Sequence, residues 1–545
     1  MLVSTFLETR PLIPVDLTDS APMTRSAVVT EILSRIQGGV EADLIISSGE
    51  MWTAALKDTE LDIRAALRSA GIQYQIYHPE RLSPEVRQRL IESGIEPFTI
   101  ERIEGDETIR SQVWAAVRLR TQTISATIPA IEPRMLKDMQ FLLGAALRRL
   151  ERGSSGPTIG LISDIPRLTA AQAFDEYTQM GYTPPEGSNP FGEVERLLTR
   201  YGYQVRAINP NAPYFGGNLD LVVWLQPRAP VEVLPEFGNY LASGGKAFVA
   251  LQQYKVKQRQ YRGRGYDTVY WPEPQTHRFN EYLKLIGIAQ TGEKSRGPAE
   301  ILMDENQGQL ALDTRVYQRS RYREMLTQEV VRPFLIRAIA AGLSGSSPIT
   351  AHLGALLYIW GNRFTVDNEK LSELGLNVIT LAQTSARPWR FIWDGGWIPE
   401  LALSSPSPEQ FIDGPLPLAL QVQGPFPKVM ADTRGAQGEF VLGGRDPAAP
   451  QGQLVLSASS EMFTDSNIYL NGYQHDRFLL NTVAALALDP DMASLQSRPL
   501  YPEAFPIQTR ASKLLWRLIV IAAAPLLLIA CGVWYGRRRR VSRSV

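Results

Sequence analysis

Two groups of hydroxyl, amide and carboxylate side chains follow apolar runs. Ser163 and Asp164 directly follow TIGLI (158–162), and Ser459, Ser460, Glu461, Asp465 and Asn467 fall within SASSEMFTDSN, directly after QLVL (453–456). Oxygen-bearing side chains after a buried strand stand at the carboxyl edge of a sheet, where open α/β folds bind ligands. These seven are the candidate ligand-binding residues. The same residue types cap helices and close turns, so ordinary βα loops are the competing reading. No catalytic set is completed. A serine nucleophile of the hydrolase type needs a G-x-S-x-G elbow, and none follows TIGLI. A cysteine nucleophile needs an activating base, and the only cysteine, Cys531, lies within a long apolar run. His78, His277, His352 and His475 are too scattered to read as a metal site, and His277 and His475 read as helix-start or surface residues. Neither G-x-x-x-x-G-K-[ST] nor G-x-G-x-x-G follows a strand, so no nucleotide cradle is expected. Catalytic residues, metal ligands and cofactors are all expected to be absent.

The elements that must position these residues alternate. Apolar spacing predicts helices over 24–36, 59–70 and 83–94, and strands over 42–47, 73–77, 97–103 and 113–119. An amphipathic helix over 135–150 follows, then the linker Gly153-Ser154-Ser155-Gly156-Pro157. Beyond it, strands over 158–162, 203–208, 219–225 and 246–251 alternate with helices over 191–201 and 231–241, the grammar of a doubly wound sheet. The basic, aromatic stretch 254–270 reads as a solvated loop in preference to a nucleic-acid patch. A helix is expected over 331–343, strands over 354–360 and 376–382, and loops around short strands over 393–427. QLVL leads through the Ser/Asp loop to a helix over 475–488, ended by Asp489-Pro490. The fold class is α/β, as two consecutive Rossmann-like or layered units plus a C-terminal transmembrane helix. The expected segments are an irregular start (1–23), an N-terminal α/β domain (24–152), a Rossmann-like domain (157–490) with insertions around 252–450, a linker (491–513), a membrane helix (514–536) and a basic tail (537–545).

The membrane helix is read from Leu518 to Tyr535, eighteen residues without a charge. Adding Leu514 to Trp516, with Arg517 able to snorkel, brings the run to about 20 residues, enough to cross a bilayer. Trp516 and Trp534 stand at its ends, where indoles favour the headgroup layer, and Pro525 lies mid-run. Arg537, Arg538, Arg539, Arg540 and Arg543 follow; Arg510, Lys513 and Arg517 precede. The positive-inside bias therefore puts the tail in the cytoplasm and the bulk outside it. The first twenty residues show no apolar export signal, so either a preceding membrane segment or a tail-anchored, inward topology is the alternative. The formal net charge is zero, so no nucleic-acid partner is expected.

Several stretches in order resemble the GldG-like family, the auxiliary component of gliding-motility-type ABC transporters. They are VDLTDS near the start, LGAALRRLERGSSGPTIGLISD at the domain junction, VERLLTRYGYQVRAI, LDLVVWLQP, LPEFGNYLASGGKAFVAL, and LVLSASSEMFTDSN leading into HDRFLLNTVAALALDP. The resemblance implies a large extracytoplasmic region held in the inner membrane. It also implies a central fold of the glutamine-amidotransferase type, and a permease, an ATPase and membrane lipid as partners. Family members begin with a membrane helix before the DLT-like segment. Here none precedes VDLTDS, and a truncated start or a partner's helix would reconcile the two. The expected function is a non-catalytic, membrane-anchored auxiliary subunit that binds a substrate or envelope partner and couples to the permease. A membrane-anchored hydrolase-like enzyme and a tail-anchored cytoplasmic scaffold are the alternatives.

Overall fold

A short helix opens the described chain because Ser26 caps it. In α1 (Ala27–Arg35) the Ser26 hydroxyl accepts the Val28 amide at 3.2 Å, and Val29 and Ile32 face inward. The computed structural model describes residues 26–496, apart from 49–53, 105–106, 154–155, most of 164–189, 211, 217, 228–232, 263–265, 276, 293–298, 320–321, 405, 432–439 and 445–447. The described residues all fall within one unit, Pro22–Arg498.

The first layer is a four-stranded mixed sheet. β1 (Glu41–Ile46) is buried at five successive positions. After α2 (Ala54–Ser69), β2 (Gln73–Tyr77) pairs parallel to β1. After α3 (Pro84–Glu92), β3 (Ala115–Arg120) pairs antiparallel on the other side of β1, and β4 (Ser125–Ile128) completes the order β2-β1-β3-β4. The strand expected over 97–103 instead belongs to a separate hairpin, Phe98–Glu104 with Glu107–Val113. α4 (Met139–Arg152) covers the sheet with Leu142, Leu143, Ala146, Leu147 and Leu150, and ends at Gly153, left-handed at φ 60°, a conformation glycine adopts freely.

The second layer is a seven-stranded sheet. Its parallel part comprises β5 (Thr158–Ser163), β6 (Gln204–Ala207) after α5 (Gly192–Arg200), β7 (Leu221–Leu225), and β8 (Lys246–Ala250) after α6 (Leu234–Ala242). Two short helices follow, α7 (Phe279–Leu285) and α8 (Asn368–Leu374). Then come β9 (Asn377–Gln383), β10 (Pro417–Gly424) and β11 (Gly452–Ser457), and last α9 (His475–Ala487) and α10 (Pro490–Gln496). The order is β9-β10-β11-β8-β7-β5-β6, with β10 antiparallel to both neighbours. The parallel stretch β6-β5-β7-β8-β11 is doubly wound, and the connection reverses direction between β5 and β7.

Both faces of this sheet are covered, as continuous apolar strands require. Val223, Leu225, Phe248 and Val455 share a core with α4, α9 and the first layer. Val222, Trp224, Val249 and Leu456 face α6 and α7, where Trp224 meets Phe237 and Phe279 edge-on at 5.4 and 5.6 Å.

The region between β8 and β11 carries three corrections to the sequence reading. The helix expected over 331–343 is largely strand, Tyr322–Ile339, flanked by Gly308–Arg319 and Ala355–Ile359. Phe334, Ile336 and Ala338 are buried at every second position, a period of two, and Pro333 is a poor helix-interior residue. The basic stretch 254–270 is not a loop but most of a hairpin, Tyr254–Arg262 with Tyr266–Pro274. Tyr254 and Tyr270 enter an aromatic core with Phe334 and Trp360, whose rings stack at 4.2 Å. Lys257 pairs with Glu273, and the Arg259 guanidinium lies over Trp397. Within 393–427, β10 is a full eight-residue central strand.

No helix among the described residues is long and apolar enough to cross a membrane. The expected span 514–536 with Leu514, Trp516, Pro525 and Trp534, the arginines 537–540, and the segment 1–23 lie outside the described residues.

Candidate functional site

The carboxyl edge of the sheet is organised by two glutamines, each directly following or one residue beyond a buried strand. Gln226 follows β7 with φ 53°, and Gln252 lies just past β8; both are almost wholly buried. The loop after β11 arrives against them. Ser460 Oγ donates to Gln226 Oε1 at 2.7 Å, and Gln226 Nε2 donates to the Gln252 carbonyl at 3.1 Å. Gln252 Oε1 accepts the Ser460 amide at 3.0 Å and lies 3.1 Å from Ser459 Oγ. Its Nε2 reaches the carbonyls of Tyr254, Ile359 and Trp360 at 3.0, 3.1 and 3.1 Å. Ser459 and Ser460 are therefore buried and held in a web that ties the sheet edge to the inserted strands. Behind them Gln290 Nε2 donates to the Ala458 carbonyl, and His277 Nε2 sits 3.0 Å from Gln290 Oε1.

The other candidates of this loop do different work. Glu461 opens a short 3-10 turn, and its amide points at Gln252 Oε1 at 3.4 Å. Asp465 is exposed, and its Oδ1 accepts the Glu193 amide at 2.7 Å. That is a cap on the first turn of α5, where free amides and the helix dipole favour a carboxylate. Asn467 Nδ2 donates to the Glu461 carbonyl and to Thr464 Oγ1, holding the loop to itself. The Asn467 carbonyl accepts a hydrogen bond from His475 Nδ1 at 2.8 Å, and His475 Nε2 accepts the Leu357 amide at 2.9 Å. One nitrogen donates and the other accepts, so the imidazole is neutral. Burial pushes its pKa down to about 4, because the charged form loses its hydration. His475 was expected as a helix-start residue, and it does open α9, but from a buried position.

Ser163 ends β5 in register with Leu225 of β7, at the point where the winding reverses. Its Oγ is buried without a hydrogen-bond partner among the described residues. Asp164 lies outside the described residues. The structure thus gathers Ser459 and Ser460 with Gln226 and Gln252, sets Ser163 two strands away from β8 and three from β11, and leaves Asp465 and Asn467 to cap and brace. No hydroxyl in the web meets a base, since its partners are amides and carbonyls. Among the described residues no group of three or more His, Cys, Asp or Glu side chains could hold a metal ion.

Sequence reasoning did not single out the glutamines, though each directly follows or nearly follows an apolar run, in LVVWLQ and FVALQQ. It also missed a buried trio. Asp138, at the start of α4, pairs with Arg477 of α9 and accepts the Tyr201 hydroxyl. Burial beside the Asp138 carboxylate holds that hydroxyl well above its usual pKa.

Residues 156–482 match the model of a family described as an ABC-type uncharacterized transport system. No curated protein matches the chain. Among solved structures, one described as the mmIFT52 N-terminal domain aligns at 11% identity with a TM-score of 0.29, covering 61% of this chain and 98% of that one.

Proposed function

Because the chain belongs to this family of ABC-type transport-system auxiliary components, we propose that it works without catalysis, by holding a substrate or envelope partner and coupling it to the transporter's permease and ATPase. The observation that carries this reading is the web around Gln252. The polar groups at the edge where an α/β enzyme would place its chemistry are committed to one another and to the carbonyls of the inserted strands. A web so paired keeps the sheet and the insertion in fixed register, which suits a part that transmits position. The open end of the edge is at Ser163, and we place the ligand contacts of Ser163 and Asp164 there. The apolar run 514–536 and the arginines 537–540 would anchor the chain in the inner membrane lipid with its bulk outside.

Affinity purification of the tagged full chain from detergent-solubilised native membranes tests the proposal. The expected result is recovery of a multi-span permease and an ABC ATPase at stoichiometric levels. Recovery of the chain alone, together with its release from membranes by alkaline carbonate, would overturn it.

A further inference from the structure

The winding-reversal edge is not the place with the most unmet polar chemistry. Where α4 meets the start of the sheet and the α9–α10 corner, there is a cavity of about 220 Å³. Its wall includes Arg148, Arg149, Arg152, Tyr203, Asp220 and Asp489. The carboxylates there are engaged. Asp489 Oδ2 accepts from Arg148 at 2.9 Å and Arg152 at 3.3 Å, and Asp220 Oδ2 accepts the Thr158 amide at 2.8 Å.

Three buried atoms of wall residues lack a hydrogen-bond partner among the described residues, Arg148 Nε, Arg149 Nε and the Tyr203 hydroxyl, and Arg148 alone of these is held by carboxylates through its other nitrogens. Arg149 makes no ion pair among the described residues. Its Nη2 donates to the Thr127 carbonyl at 2.9 Å, and its buried Nε has no hydrogen-bond partner. Tyr203 is 4% exposed and lines the same cavity, and its buried hydroxyl has no hydrogen-bond partner among the described residues. A half-buried guanidinium that makes no ion pair is costly, and burial alone lowers the Arg149 pKa. The backbone around it is cut away to make room. Gly202, at φ 88°, would carry a Cβ 3.3 Å from the Arg149 guanidinium carbon, and a Cβ on Gly156 would strike the Gly202 carbonyl at 2.2 Å.

We propose that this cavity is a binding site for a compact oxyanion, held by the Arg149 fork and the Tyr203 hydroxyl. A guanidinium offers paired donors to phosphate or carboxylate oxygens, and a phenol adds a neutral donor. Arg148 and Arg152 are matched by Glu151 and Asp489, which leaves Arg149 as the cation on this wall that an anion would meet. The site stands apart from the transport reading: it depends on the joint between the two layers and on no partner.

Isothermal titration of the full chain in detergent, in a Tris-chloride buffer, with inorganic phosphate and separately with acetate, tests it. Saturable binding of either anion is expected, and the two arms tell a tetrahedral from a planar ligand. Arg149→Met should weaken the binding at least tenfold. Tyr203→Phe keeps the buried ring and the fold, and should weaken it about threefold to tenfold, in line with a lost hydrogen bond. A cavity filled by water alone gives no saturable heat with either anion, and that result overturns the proposal. So does binding that is unchanged in Tyr203→Phe when the variant unfolds as cooperatively as the parent.

Discussion

Two polar regions of this molecule are built in opposite ways. At the β8–β11 end of the sheet, Ser459, Ser460, Gln226 and Gln252 satisfy one another and the carbonyls of the insertion. At the joint between the layers, Arg149 and Tyr203 line a cavity, and each carries a buried polar atom without a partner among the described residues. Buried polar groups in native structures are nearly always paired. A closed web therefore reads as architecture, and an open one as capacity to bind. The joint also contains its own control. Arg477 lies a short way along the same interface, paired with Asp138, while Arg149 makes no ion pair among the described residues.

The largest expected effect tests that control. Arg477→Leu leaves the Asp138 carboxylate buried and unpaired, and should cost about 4 kcal/mol in urea unfolding. Arg149→Met keeps the apolar stem and removes an unpaired charge, so in anion-free buffer it should be neutral or slightly stabilising. Equal losses for the two arginines would break the comparison.

Next in size is a pH effect at the closed end. The folded pKa of His475 lies near 4, below the unfolded value of about 6.5. Between those values the unfolded chain binds the extra proton, so stability is full above about pH 6.5 and falls as the pH drops toward 4. At about 1.4 kcal/mol per pH unit the full loss is about 3 kcal/mol. Urea midpoints between pH 7 and 5, above most carboxylate titration, should show this slope in the parent and a flatter one in His475→Gln. Smaller again is Gln252→Leu. It strands the Ser460 amide and takes a donor from three carbonyls, of which that of Ile359 still accepts from Ser459 Oγ at 3.1 Å, for a cost of about 2 kcal/mol.

The parts of this fold legible in the sequence were those with local periodicity. TIGLI, LVVWL, KAFVA and QLVL are continuous apolar runs and became parallel central strands. Ser83-Pro84 and Gly153 marked a helix start and stop by turn chemistry alone. The stretch 331–343 misled because VRPFLIRAIAAGL satisfies both a helical and an alternating pattern. Its pairing with Ala355–Ile359 is a tertiary choice that no local window contains. The site was legible only in part for the same reason. Ser459 and Ser460 were visible as hydroxyls after a strand, but what they meet comes from more than two hundred positions earlier. In the sequence nothing distinguishes Arg149 from Arg148 and Arg152. What sets it apart is the lack of a carboxylate, which only the packing of Asp489 and Glu151 onto its neighbours reveals.

The smallest effect separates the two ends of the sheet edge itself. Ser460→Ala removes a 2.7 Å bond and orphans Gln226 Oε1, so it should cost about 1 to 2 kcal/mol. Ser163→Ala removes a buried hydroxyl that has no partner among the described residues. It should change stability by less than about 0.5 kcal/mol, because a hydroxyl that gains nothing in the fold still gave up its water to enter it. Chemical denaturation of the two variants side by side measures the difference. A Ser163→Ala loss as large as that of Ser460→Ala would mean that the winding-reversal end is closed like the other. The ligand contacts would then have to be sought at the Arg149 cavity alone.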